Sequence, residues 1–192
     1  MHDWPAAFKK FKNLKTIVII DGSLDPFNSV ILPVYALFFV TGEAEFGGLL
    51  GYLALVGLAA SYLLARHSDR RKKRLAFFAP LLVISGFVVL AMGLTQSFAA
   101  WLALVTLYSI INIVAYPLLL AVQFDVKNTD IGFWAVRELL LNTGRFLALS
   151  CVALLFYFEC YWAVFAMYAA ILFAYPFLVK QKLGIKRTAR SA

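Results

Sequence analysis

The segment Ala65–Arg74 reads ARHSDRRKKR, six Lys or Arg side chains and one carboxylate in ten positions. It interrupts a chain of 192 residues that is 63% hydrophobic and only 15% charged, with a mean hydropathy of +0.84. Soluble domains are about half apolar and about a quarter charged, so this composition belongs to a protein whose solvent is largely lipid. A charged block in such a chain marks a place where it leaves the bilayer, and the apolar runs on either side become candidate spans.

A hydrocarbon core about 30 Å thick takes about 20 helical residues to cross. Six runs are long enough, at about Thr16–Val40, Gly47–Leu64, Leu75–Leu94, Phe98–Val122, Leu139–Tyr157 and Tyr161–Val179. The expected fold is an all-α membrane protein with six transmembrane helices over residues 16–179. A basic, amphipathic segment precedes them at residues 1–15, and a basic tail follows at 180–192.

The cations confirm the phase of this pattern. Apart from Arg145, every Lys and Arg lies at a terminus or in an alternate connection: Lys9 to Lys15 before the first run, Ala65–Arg74 after the second, Lys127 and Arg137 after the fourth, and Lys180 to Arg190 after the sixth. The intervening connections, TGEAEFGG, TQS and FECYW, carry only Glu43, Glu45 and Glu159. Basic flanks are retained on the cytoplasmic side, which places both termini and Ala65–Arg74 there, in a multi-pass protein of the cell membrane (plasma or inner). The net charge of +8 is then a topological signal held against anionic headgroups, and it points to the lipid bilayer as partner and away from nucleic acid.

Missing motifs narrow the function. The two histidines, His2 and His67, lie outside the apolar runs, so no serine in a span has a histidine base. Neither a His-Glu-x-x-His site nor paired Cys motifs occur, and Cys151 and Cys160 read as apolar filler. The expectation is a protein that is not an enzyme and needs neither metal nor cofactor.

The chemistry then falls to polar residues inside the spans, where an ionisable group at mid-helix costs about 2.5–3.5 kcal/mol on insertion scales. In the first run Asp21, Asp25 and Asn28 follow i, i+4, i+7 spacing and share a helix face. Glu138, Asn142 and Arg145 repeat that spacing in the fifth region, and Tyr108, Asn112 and Tyr116 form a third stripe on the fourth run. Arg145 and Asp21 are expected at similar depth, so an ion pair from Arg145 to Asp21 or Asp25 would let both be tolerated. Pro26, Pro33, Pro117 and Pro176 each remove a backbone donor and bend a helix. Asp21-Gly22 and Asp25-Pro26 are places where the first helix is expected to bend or unwind beside a cavity.

With six helices, cytoplasmic ends and a basic loop after the second helix, the chain resembles one half of a major facilitator superfamily transporter, most like the C-terminal half. In the family's loop signature Asp69 takes the acidic position, Arg70 the basic one after it, and Lys73 and Arg74 the closing basic pair, with Ala65 and Lys72 in place of its glycines. The resemblance implies a transporter or half-transporter that moves a small-molecule substrate by alternating access, with proton coupling as a candidate drive. Asp21, Asp25, Asn28, Asn112, Tyr116, Glu138, Asn142 and Arg145 would serve substrate or proton, while Asp69, Arg70, Lys73, Arg74 and Arg137 would form a cytoplasmic gate. It also implies a partner, either a parallel homodimer or a second six-helix half. The competing expectation is a non-transporting interaction or assembly subunit, or the truncated half of a split transporter.

Overall fold

A computed structural model describes residues 14–67, 74–124 and 131–182 of the chain. Most of the expected N-terminal segment, the centre of the Ala65–Arg74 loop and most of the basic tail lie outside the described residues. Among those described, every regular element is helical: α1 (Lys15–Ala36), α2 (Glu43–His67), α3 (Arg74–Leu94), α4 (Phe98–Phe124), α5 (Ile131–Tyr157) and α6 (Tyr161–Lys182). In α3, which runs 21 residues, the side chains are described only over Ala79–Leu94; over their described residues all the other helices are long and apolar enough to cross a membrane. That is the mark of an integral membrane protein.

Two helix starts differ from the sequence expectation. The first is α5, which begins at Ile131 instead of Leu139, so Arg137 and Glu138 belong to the helix and not to a connection. Hydropathy dips at these charges, but helical hydrogen bonds are indifferent to it, and the charges are turned towards other side chains. The second is α2, which begins at Glu43, with Glu43 and Glu45 in its first turn, where the positive end of the helix dipole favours acids.

The first helix does not unwind at Asp21-Gly22. It runs as an α-helix to Pro26, widens to a π turn over Phe27–Ile31, and resumes as an α-helix over Leu32–Ala36. Pro26 and Pro33 bracket this turn, each lacking the N–H that an α-helix would use, and the Leu32 N–H reaches back to the Phe27 carbonyl. The widened turn puts the fully buried Phe27 ring at the centre of the bundle. There it meets Tyr108 of α4 at 5.3 Å and Tyr168 and Phe165 of α6 at 4.8 and 5.9 Å between ring centroids.

Helix pairing rests on glycines at two contacts. A Cβ on Gly22 would overlap the backbone of Leu141, and one on Gly144 would overlap the backbone at Ile19 and Ser23. Thus α1 and α5 touch main chain to main chain, and the Ser23 hydroxyl donates across the gap to the Gly144 carbonyl at 3.2 Å. Between α3 and α6, the Phe173 and Phe165 side chains fill the spaces over Gly86 and Gly93. The most extensive contacts are α1 with α5, α3 with α6, α3 with α4 and α2 with α4, and lighter ones join α6 to α1 and to α5. Exchanging α1, α2 and α3 with α4, α5 and α6 relates α1–α5 to α2–α4 and α3–α4 to α1–α6, while α5–α6 stands outside that pattern.

Because these approaches leave no room for a methyl group, Gly22→Ala or Gly144→Ala should destabilise the bundle by about 1–3 kcal/mol, the usual range for overpacking. The melting temperature of the detergent-solubilised protein should fall accordingly. Gly57→Ala is the control: its Cβ would meet the Ile113 side chain at an ordinary 3.6 Å and should leave the melting temperature within error.

Candidate functional site

The close contact between α1 and α5 sets two polar stripes side by side. On α1, Asp21, Asp25 and Asn28 face inward along the helix; on α5, Arg137, Glu138 and Arg145 do so. Tyr108, Asn112 and Tyr116 of α4 close the third side, and the three stripes line one recess of about 310 Å³. Leu82 and Ser85 of α3 and Leu172 of α6 lie at its back.

Arg145 organises the centre. Its Nε donates to Asp25 Oδ2 at 2.9 Å, and its Nη1 donates to Glu138 Oε1 at 3.0 Å and to Asn142 Oδ1 at 2.8 Å. Asn142 does not line the recess, but its amide also donates to Glu138 at 3.4 Å, so it braces both partners. One guanidinium therefore serves two carboxylates. Asp25 and Arg145 stand near the midpoints of their helices, yet the side chains of Arg145, Asp25 and Glu138 remain 35%, 53% and 54% exposed.

Asp21 and Arg137 form a second ion pair at 3.9 Å, both only 11% exposed. The Arg137 guanidinium also lies 5.9 Å from the centre of the Trp134 ring, a cation–π distance. The described lining thus holds three carboxylates and two guanidiniums, one formal negative charge in excess, and such a surplus attracts a cation over an anion.

Seven of the eight residues expected to serve substrate or proton line this recess, and the eighth, Asn142, touches two of them. The partner of Arg145 is Asp25. Asp21 instead sits level with Arg137, a residue expected at the cytoplasmic gate and found lining the recess. The remaining gate residues Asp69, Arg70 and Lys73 lie outside the described residues; Arg74 opens α3, and its side chain lies outside them too. Tyr108 and Ser85 line the recess without having been singled out as site residues. Ser85, 3% exposed, could have been found as a polar residue in the apolar run of α3, and Tyr108 as the first member of its stripe. Among the described residues no group of three or more His, Cys, Asp or Glu side chains is placed to hold a metal. Comparison with models of known families, with curated proteins and with solved structures finds no match to the chain.

The shared guanidinium predicts an asymmetry among charge variants. Arg145→Gln leaves two carboxylates without their cation, whereas Asp25→Asn or Glu138→Gln leaves Arg145 with one. Removing a partner from an ion pair is costly because the remaining charge is stranded. Membrane-inserted yield and melting temperature should therefore fall most for Arg145→Gln. Adding Asp25→Asn to it should recover part of the loss, measured by fluorescence-detected size exclusion.

Proposed function

We propose that this protein is a solute carrier: a six-span bundle with both termini cytoplasmic, resembling one half of a major facilitator superfamily transporter, that moves a small solute by alternating access. The observation that carries this reading is the recess itself. Half-exposed ion pairs at the middle of two membrane-length helices are expensive in lipid and become tolerable beside water or a polar solute. A purely structural ion pair has no need of exposed carboxylate edges.

Three further features support it. The exchange pattern followed by most of the helix contacts is one that an inverted three-plus-three repeat would give, and such repeats build a six-helix transporter half. The π turn in α1 includes Asn28 of the recess wall, and such turns are frequent at functional sites. The alternation of basic connections supports six spans, with α3 among them, and a cell-membrane location.

The Arg145 trio supplies a means of coupling. When both Asp25 and Glu138 are ionised, Arg145 bridges them and one negative charge is in excess. A proton on either carboxylate removes that excess and releases one contact of Arg145, whose guanidinium then belongs wholly to the other helix or to its own. Asp25 is on α1 and Glu138 on α5, so the choice changes what ties the two helices together. A bound cation would neutralise the same charge. Either event biases the bundle between two arrangements, which is what a carrier requires.

The test is uptake by proteoliposomes from a mixture of small polar and cationic metabolites, with an imposed pH gradient and retained solutes read by mass spectrometry. At least one solute should accumulate above empty vesicles. Glu138→Gln should lower its uptake at least tenfold and remove the dependence on the gradient. No accumulation of any solute, or uptake indifferent to Glu138→Gln, would overturn the reading.

A further inference from the structure

The carboxylates around Arg145 keep acceptor capacity to spare. Arg145 and Asn142 use only Asp25 Oδ2 and Glu138 Oε1. The second oxygen of each, Asp25 Oδ1 and Glu138 Oε2, takes no hydrogen bond from a described residue. Asp21 is paired with Arg137, so the excess negative charge of the recess belongs to Asp25, Glu138 and their shared guanidinium. A monovalent cation there restores neutrality, whereas an anion deepens the imbalance and a divalent cation reverses it. Because both carboxylates are held on one guanidinium, a single ammonium beside them can donate an N–H to each.

A second recess, of about 300 Å³ between α1, α2 and α4, shares Asn28 with the first. Its wall is mostly apolar, from Leu32 and Ala36 of α1 to Leu53 and Ala54 of α2. Trp101 of α4 also lines it. That residue is 1% exposed, and its indole N–H has no acceptor among the described residues. A buried donor without an acceptor is costly and rare, and an oxygen on a molecule in this recess would satisfy it. From Asn28 to Ala36 the recess follows α1 for about 12 Å of helix, a path suited to an extended apolar body.

We infer that the two recesses together bind an elongated organic ammonium ion. Its single positive charge lies against Asp25 and Glu138, its apolar body runs past Asn28 along α1, and an oxygen at its far end accepts from the Trp101 N–H. The inference rests on the carrier reading for its purpose, since this ion would be the solute carried. An inorganic cation would leave the apolar recess and the Trp101 N–H without a role, and among the described residues no three His, Cys, Asp or Glu side chains converge to hold a metal.

The experiment is isothermal titration calorimetry of the full chain in nanodiscs, with the heat of empty nanodiscs subtracted and terminal aminooctanol as the probe. It should bind saturably, at one site per chain. Octanediol, which lacks the charge, and hydroxyoctanoate, which reverses it, should each bind at least about tenfold more weakly. Aminopropanol, too short to reach Trp101, should lose at least as much. Glu138→Gln should weaken aminooctanol at least about tenfold. Trp101→Phe keeps a ring and removes the N–H; it should weaken aminooctanol about threefold and leave octylamine, which has no oxygen, unchanged, a difference that general misfolding would not produce. Absence of saturable binding, octanediol or hydroxyoctanoate binding as tightly, binding indifferent to Glu138→Gln, or equal losses of aminooctanol and octylamine in Trp101→Phe would each overturn the inference. Binding as expected without uptake by proteoliposomes would count against the carrier reading alone, and uptake of a solute of another class by a chain that does not bind aminooctanol would count against this inference alone.

Discussion

An arginine near the middle of a membrane-length helix must be neutralised by a partner at its own depth, and the architecture around α1 and α5 follows from that requirement. Arg145 reaches Asp25 at 2.9 Å because the two backbones approach to contact distance, and they can do so because Gly22 and Gly144 present no side chains there. The same approach places Asp21 level with Arg137. Dispersion between close backbones and the two ion pairs support one another, since neither glycine contact nor charge pair is favourable at a greater separation. Elsewhere, as between α3 and α6, glycines instead receive aromatic side chains and carry no charge.

The helix that supplies both aspartates is also the least regular. Its π turn shifts the face that α1 presents, so that the residues before it turn their carboxylates to the recess while Phe27 turns into the aromatic centre with Tyr108, Phe165 and Tyr168. Packing of that ring against α4 and α6 helps hold a turn that the prolines alone would leave weakened. A movement of α1 would therefore be felt at the ion pairs on one side and at the aromatic cluster on the other. This coupling between a charged recess and a kinked helix is the physical content of the carrier reading.

Much of this was legible in the sequence because helical spacing is a strong rule. The stripes Asp21, Asp25, Asn28 and Tyr108, Asn112, Tyr116 each needed only i, i+4 geometry, and both fall on the recess. The start of α5 was not legible, since Arg137 and Glu138 depress hydropathy where the helix in fact continues. That error in depth is why Asp21 and Asp25 could not be told apart as the partner of Arg145. Nor could spacing show which helix would lie against Gly22 or Gly144. Of the loop motif, whose acid Asp69 lies outside the described residues, only the resemblance remains.

The central claim is that the ion pairs face a water-accessible path at mid-membrane. It is tested most directly by placing one thiol there, as Asn28→Cys in a chain whose Cys151 and Cys160 are replaced by alanine, and measuring its reaction with a membrane-impermeant maleimide in oriented vesicles. The account predicts labelling at a rate within about tenfold of a thiol in an aqueous loop, slowed when Arg145→Gln disturbs the recess. A thiol at position 28 that stays inert to the impermeant reagent from both sides, while a lipid-soluble maleimide modifies it, would contradict the account.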